Sequence, residues 1–346
     1  MTNTPKLAIV LLSYNSLELV KQFLPKIIEY TPKSDDYQII LVDNASVDDT
    51  QTFMKNNYPN IRVITLAENH GFTNGYVESL AQIEAKYYCL ISSDIEVTPH
   101  FTEPIITLME GDCNIAACQP KIMSWDRRNE FEYAGAAGGM IDHLGYPFAR
   151  GRIIDQVEID EGQYDNIQEV FWASGACMFV RADVYHKAGG LDNDYFAHME
   201  EIDLCWRMKN MGYKIMFHPD AKVFHMGGFI IKYGSSAKVY RNHRNNLIML
   251  LKNLPPYEGL WKIPLRFVMD FLTMIKMALD GNWKTIWAVS KAHQDFVFRF
   301  GKWHAKRIEA KKLWANRNHT GIYPHSMVWQ YFVKKAKKFS DFNWTP

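Results

Sequence analysis

Three carboxylates fall within four residues in the segment His198-Met199-Glu200-Glu201-Ile202-Asp203-Leu204-Cys205-Trp206-Arg207. Like charges this close repel, which costs stability unless a cation or a shared proton compensates. The same crowding raises one carboxyl pKa toward working pH, which is what a general base requires. A blander assignment also exists. Glu200 and Glu201 at a helix N-terminus complement its dipole, and Asp203 with Arg207 makes an i,i+4 pair on one helical face. In Leu90-Ile91-Ser92-Ser93-Asp94 a carboxylate stands at the end of an apolar run, a natural oxygen ligand for Mg²⁺ or Mn²⁺ bridging a diphosphate. His225 closes another short apolar run ahead of Gly227-Gly228; it joins a metal site only if it meets Asp94 in space. Leu12-Ser13-Tyr14-Asn15 and Val42-Asp43-Asn44-Ala45-Ser46 put polar groups beyond two further runs. An aspartate there accepts a hydrogen bond from a nucleobase N–H, or else ties its own turn.

These residues need a scaffold that gathers them at one edge. Leu7 to Leu12 is a continuous aliphatic run, expected as a strand buried on both faces. Ser16 to Tyr30 carries helical apolar spacing, Gln38 to Val42 is a second buried strand, and Asp48 to Asn57 a helix. Ile61 to Leu66 reads as strand, Gly75 to Ala85 as helix and Tyr87 to Ile91 as strand. This alternation predicts a parallel sheet with helices on both faces. Ligands bind such sheets beyond the carboxyl ends of the strands, so Asp43 and Asp94 should share a cleft. From Tyr133 to Val170 the pattern weakens into short strands and loops, an acceptor-side insertion. Phe171 to Val180 is apolar with small residues where close approach is needed, and Ala182 to Ala188 is a short helix ended by Gly189-Gly190. Glu200 to Asn210 is helical, and Lys214 to Phe217 and Lys222 to Phe224 are short strands. After Gly234 the chain reads as helical and basic to its end, broken at Pro255-Pro256 and Pro264.

Charge is segregated along the 346 residues. Residues 1–229 hold 18 Lys+Arg against 32 Asp+Glu, whereas residues 230–346 hold 21 against 6. An acidic body with a basic, Trp- and Phe-rich tail points to an anionic surface, or to helices balancing an acidic neighbour. Hydrophobic residues make up 47%, which excludes wholesale disorder. Five cysteines without a CxxC pair give neither a zinc cluster nor a disulfide framework; buried thiols in a reducing compartment are expected. The apolar run after Lys6 is too short for a signal peptide, and Arg266, Asp270 and Lys276 interrupt the one around Ile263 to Leu279. The expected location is cytoplasmic, free or resting on the inner face of the membrane.

Taken in order, Ser13-Tyr14-Asn15, Val42 to Ser46, Asn69-x-Gly71-Phe72, Ser92-Ser93-Asp94, Ser174-Gly175-Ala176, Glu200 to Arg207 and His225-x-Gly-Gly resemble family 2 glycosyltransferases, and within them the bacterial rhamnosyltransferase-like group. The resemblance covers about residues 5 to 255. It implies an α/β GT-A fold, a Rossmann-like, mostly parallel sheet with helices on both faces, here with a C-terminal helical extension. Residues 1–125 would form the nucleotide-sugar half, 126–255 the acceptor half, and 256–346 a basic amphipathic tail. The implied activity is an inverting, metal-dependent transfer of a sugar, rhamnose among the options, from a dTDP- or UDP-linked donor. The acceptor would be a saccharide or a lipid-linked glycan in surface polysaccharide synthesis. By the same resemblance Asp94 and His225 would hold Mn²⁺ or Mg²⁺. Ser13, Asn15, Asp43, Asn69, Gly71 and Ser93 would join Asp94 at the nucleotide sugar, with Asp43 on the base. Trp172, Ser174, Gly175 and Glu200 would bind the acceptor. Glu201 would deprotonate the acceptor hydroxyl, and Asp203 would orient the acceptor or tune that base.

The chain departs from the family pattern at Ser92, where Asp or Asn is usual, and at Glu201, one methylene longer than the usual Asp. Those departures keep open a catalytically weak sugar- or membrane-binding scaffold beside the enzyme, and the same fold with a UDP-hexose donor. No base-reading motif accompanies the basic tail, so nucleic acid is not expected as a partner; a homo-oligomer is left open. Segments Arg244 to Leu254 and Ile263 to Leu279 combine apolar faces with Lys and Arg, as an interfacial helix requires, although packing on the body would use the same pattern. Trp283, Trp287, Trp303 and Trp314 suit either.

Overall fold

A computed structural model describes residues 4–227 and 235–345; Gly228 of the glycine pair lies outside the described residues. The chain begins β1 (Leu7–Ser13), α1 (Leu17–Tyr30), β2 (Tyr37–Asp43), α2 (Thr50–Asn57), β3 (Arg62–Thr65), α3 (Phe72–Leu80) and β4 (Tyr87–Ser92). In β1, Ala8, Val10 and Leu12 enter one hydrophobic core while Leu7, Ile9 and Leu11 enter another. A strand with apolar neighbours on both faces has no use for alternation, which is why the sequence run is continuous. The four strands are parallel in the order β3-β2-β1-β4. The register sets Ser13 opposite Asp43, and Leu12 opposite Ser92. The predicted edge of polar strand ends is therefore real.

β5 (Ile95–Val97), α4 (Glu103–Gly111) and β6 (Ile115–Ser124) follow, then the short strands β7 (Gly139–Asp142), β8 (Pro147–Ala149), β9 (Arg152–Ile153), β10 (Gln156–Val157) and β11 (Gln168–Val170). β12 (Cys177–Arg181), α5 (Ala182–Lys187), α6 (Glu200–Asn210) and β13 (Lys214–His225) come next. Here the sheet is mixed. β12 runs antiparallel between β4 and β6, β6 and β13 are parallel, and β5 and β11 flank β13 antiparallel. The two strands expected at 214–217 and 222–224 are one, β13, with an irregularity between His218 and Lys222 that absorbs Pro219.

The last third consists of α7 (Ser236–Asn253), α8 (Pro256–Leu279), α9 (Trp283–Phe298), α10 (Phe300–Lys312), β14 (Ile322–Tyr323) and α11 (Met327–Phe332). Two expectations change. First, α7 is a core helix, with Leu247 to Leu250 fully buried, because α6, α9 and α10 pack around it; the interfacial role expected at Arg244 to Leu254 has no exposed apolar face to use. Second, the chain is not helical to its end. β14 joins β7 in a second, five-stranded sheet, and Phe148 of β8 is ringed by Phe339, Phe342 and Trp344. Aromatic mass near the terminus finds its burial on the insertion strands rather than in another helix. Of the five cysteines, Cys113 is exposed and the others are buried, all free.

Candidate active site

β5 and β13 pair antiparallel with Ile95 opposite His225, so Asp94, one residue before, lies beside that imidazole. His225 Nε2 stands 3.3 Å from Asp94 Oδ2, and Nδ1 stands 3.2 Å from Oε2 of Glu132. Glu132 escaped the sequence reading because it sits in the weakly patterned insertion. It arrives through an antiparallel return onto β6, where its N–H donates to the Ile122 carbonyl. Burial alone would lower the His225 pKa, but the two carboxylates raise it well above the ordinary imidazole value. Burial would raise Asp94, yet His225 holds it below the usual carboxylate range. Asp94 Oδ1 is buried and accepts no hydrogen bond.

Glu200 and Glu201 open α6, entered through backbone in the left-handed region at Phe196, His198 and Met199. Such torsions persist only where surroundings enforce them. Asn245 of α7 does so: its Nδ2 donates to the carbonyls of Tyr195, Ala197 and His198 at 3.1, 3.0 and 2.7 Å. The result turns both glutamates toward a cavity of about 340 Å³, shared with Ser92, Asp94, His225, Trp172, Ser174 and Gly175. Each glutamate leaves one buried Oε2 without a partner. Burial, followed by the charge of Glu201, pushes Glu200 well above the carboxylate range. Burial brings Glu201 to about 7. His198, on the same wall, is lowered to about 4 by burial and by the charges of Lys238 and Arg241, so it is neutral at pH 7.

Trp172 and Ser174 are fixed from behind. Trp172 Nε1 donates to the Met140 carbonyl at 2.8 Å, and Ser174 Oγ to the Ala134 carbonyl at 2.6 Å. Gly175 brings the chain close to Glu201, since a Cβ there would sit 3.7 Å from Glu201 Cβ.

Asp203 is a correction. It does not line the cavity and is fully buried. Its Oδ2 accepts from Arg207 Nε at 3.0 Å and Lys252 Nζ at 2.8 Å, and its Oδ1 from Asn253 Nδ2 at 2.9 Å. Burial would raise its pKa; Lys252 and then Arg207 hold it below the usual range. Two helical steps of about 100° each turn Asp203 to the far side of α6 from Glu201.

Of the residues expected at the nucleotide, Asp94 lines the cavity, whereas Ser13, Asn15, Asp43, Asn69, Gly71 and Ser93 stand at the ends of β1 to β4 or on the loops after them and are not part of its wall. Asp43 is fully buried; its Oδ1 accepts from the Ser46 N–H and its Oδ2 from the Gln51 amide. Asn15 bridges to the β2–α2 loop, its Oδ1 accepting from Val47 N–H and its own N–H donating to Ser46 Oγ, both at 2.9 Å. Ser13 Oγ pairs with Ser16 Oγ at 2.8 Å. Asn69 Oδ1 accepts from Gly71 N–H and Asn44 Nδ2. Gly71 has φ +96°, and a Cβ there would meet the Phe196 ring at 2.5 Å. Ser93 Oγ is buried without a partner.

A divalent cation fits this site only in part. Asp94 offers an unpaired buried oxygen and His225 a neighbouring nitrogen. Among the described residues no group of three or more His, Cys, Asp or Glu side chains is arranged to hold a metal ion. Donor phosphates would have to supply the remaining ligands, the usual manner of Mg²⁺ in nucleotide sites.

Comparison with known proteins places this geometry. Residues 8–165 match the model of glycosyl transferase family 2. The N-acetylglucosaminyl-diphospho-decaprenol L-rhamnosyltransferase of Mycobacterium tuberculosis is 24% identical over 284 residues, 77% of this chain and 90% of that protein. The low-salt glycan biosynthesis hexosyltransferase Agl10 of Haloferax volcanii is 22% identical over 70% of this chain and 74% of its own. Among solved structures, GalNAc-T7 with UDP, GalNAc and Mn²⁺ matches with TM-score 0.56 and 13% identity, covering 73% of this chain and about half (48%) of that one. Staphylococcus aureus TarS 1–349 with UDP matches with TM-score 0.52 and 13% identity over 88% of each chain. The structural likenesses establish the GT-A fold.

Proposed function

We propose that this chain, which is similar to glycosyl transferase family 2 over residues 8–165 and to a rhamnosyltransferase over 77% of its length, is a glycosyltransferase making an inverting transfer in which Glu201 is the base. The observation that carries it is a glutamate on the cavity wall, lifted to about 7 by burial, with a free Oε2 in the same cavity as Asp94 and His225. A carboxylate of ordinary pKa is a weak base toward a hydroxyl; one near 7 is better matched while still ionised in part. The acceptor oxygen attacks the anomeric carbon, its proton passes to Glu201, and the bond from that carbon to the diphosphate oxygen breaks with its electron pair on the leaving group. Attack opposite the leaving group inverts the centre. Glu200, Trp172, Ser174 and Gly175 position the acceptor, and neutral His198 can accept a hydrogen bond from one of its hydroxyls.

Asp94 and His225 are the residues that would hold Mn²⁺ or Mg²⁺, which when bound offsets charge on the departing diphosphate. The loops carrying Ser13, Asn15, Asp43, Asn69, Gly71 and Ser93 would take the nucleotide, dTDP- or UDP-linked, and rhamnose is favoured as the sugar by the relatives' names. The acceptor is a saccharide or lipid-linked glycan, and the site of action the cytoplasmic side of the membrane. Glu201 in place of a shorter aspartate reads as an adjusted reach rather than a lost site, because a degenerate position has no reason to keep an orphaned carboxylate in a formed cavity. The test is Glu201→Gln: transfer should fall about 10²–10⁴-fold with donor binding by calorimetry nearly unchanged. Full transfer by that variant removes Glu201 from the role.

A further inference from the structure

Helix α8 is built inside out. Its buried positions, four residues apart, are Lys262, Arg266 and Asp270, while Leu260, Trp261, Val268, Phe271, Leu272 and Ile275 are exposed. The inner stripe is fully engaged. Lys262 pairs with Glu258. Arg266 Nε donates to Asp270 Oδ1 at 2.8 Å, and its Nη1 to Asn246 Oδ1 of α7 at 2.8 Å, with the guanidinium 4.1 Å from the Tyr146 ring centroid. His293 of α9 reaches Asp270 Oδ2 at 3.0 Å. A surface helix in water places its apolar stripe inward; here Ile263 and Phe267 pack inward, but a larger apolar stripe faces out, and it continues across the turn to α9 through Leu279 (84% exposed), Trp283 and Trp287 (68% and 69%). Scattered exposed apolar residues are ordinary, but a continuous band of this kind marks an interaction surface.

The charges on the same helix pair choose the occupant. Over residues 256–300 the exposed ionic groups are Lys276, Lys284, Lys291 and Arg299 against Asp280 alone. A second copy docking through the same face would bring identical cations together across a two-fold axis. An anionic bilayer complements both features: hydrocarbon for the aliphatic band, headgroups for the lysines and the indole N–H groups. Among the described residues no helix is long and apolar enough to cross a membrane, and the buried ionic stripe of α8 is already committed to the protein body. We propose that the outer face of α8 and the start of α9 lie on an anionic lipid surface. For its purpose this rests on the lipid-linked acceptor above; its geometry stands without that reading. The polar contacts of α8 run to Asn246 of α7, whose first turns carry cavity-lining Lys238 and Asn242, so the docked face and the reaction cavity are two sides of one helical assembly.

The experiment is co-sedimentation of the full chain, without substrates, on phosphatidylcholine vesicles with and without phosphatidylglycerol. Binding should require phosphatidylglycerol, weaken with salt, and fall about tenfold or more in Leu272→Ser/Ile275→Ser. Lys284→Glu/Lys291→Glu should lose the lipid-charge dependence. Both variants alter exposed residues outside the cavity, so unchanged melting and unchanged turnover of a soluble acceptor should accompany the loss. No binding of the wild type to anionic vesicles overturns the proposal. So does undiminished binding by the serine variant. A wild-type dimer in sedimentation analysis that the serine variant dissociates overturns it in favour of a second copy. Vesicle binding by protein inactive on every nucleotide sugar would instead break the proposed function and leave this inference standing.

Discussion

Glu201 and Asp203 are two residues apart on α6 and live in opposite electrostatic worlds. Glu201 faces a cavity and is pushed by burial to about 7, with one oxygen unpaired. Asp203 faces the core, where two cations and an amide consume its oxygens and hold its pKa down. Both carboxylates come from one acidic run. The first keeps an oxygen unpaired and a raised pKa, the second has its oxygens satisfied and a lowered one. Arg207 is one turn away on α6, but Lys252 and the Asn253 amide come from far along the chain, in the last turn of α7, while Asn245 of the same helix clamps the loop that aims the glutamates. α7 therefore builds both environments, and the chain after the expected catalytic region is part of the site's foundation.

Substitutions can break this contrast. The largest effect expected is the loss of transfer in Glu201→Gln, with a melting temperature at or above that of the wild type, because a buried ionisable group is replaced by a neutral one. A marked fall in melting temperature would show that Glu201 is structural after all. Asp203→Asn should do the reverse. It takes one anion from Lys252 and Arg207 in the interior, leaving Lys252 with Asp192 and Arg207 with the Ala188 and Gly190 carbonyls, an expected cost of about 1–3 kcal/mol by denaturant unfolding; wild-type stability combined with lost turnover would return Asp203 to the catalytic machinery. The pH responses should be opposed as well. Glu201 must be ionised to act, so the single-turnover rate should rise about tenfold per unit below pH 7 and level off above it. Its raised folded pKa means its contribution to stability is fully present below the unfolded value near 4.5 and is lost as pH rises through about 7. The depressed folded pKa of Asp203 gives a contribution present above the unfolded value near 3.8 and lost as pH falls through the lower folded one. A rate profile flat from pH 5 to 8, with chemistry rate-limiting, would undo the assignment. The smallest effect concerns Glu200→Gln: since burial rather than Glu200 holds Glu201 up, the apparent pKa of the rate should move by no more than about half a unit. A drop of two units would make like-charge repulsion the dominant cause.

Much of this was legible beforehand where local chemistry and local structure coincide. The alternation of β1 to β4 with their helices follows from runs that two cores bury from opposite faces, and Asp94 and His225 were recognisable as strand-end groups. Glu132 carried no such signal: it lies in a segment without periodicity, and only the return of the chain onto β6 brings it to His225. Asp43 was legible as a strand-end aspartate, but not the Gln51 amide that occupies it. In the tail, Ile263 to Leu279 read correctly as amphipathic, yet amphipathicity is symmetric with respect to which side meets solvent. Arg244 to Leu254 has a similar pattern and is buried.

The amino-acid order by itself determined the parallel half of the sheet, the polar strand ends along one edge and the clustering of acids at the start of α6, because each depends on residues within a turn or a strand of one another. Only the tertiary structure decided which acid faces the cavity with a raised pKa and which is anchored in the core. A carboxylate's reactivity is set by the charges and solvent around it, and here those are supplied by residues some fifty positions away in sequence. The same holds for α8: its stripe of charge and its stripe of hydrocarbon are written in the sequence, but which of them faces outward was settled by Asn246, Tyr146 and His293 arriving to satisfy the ions from within.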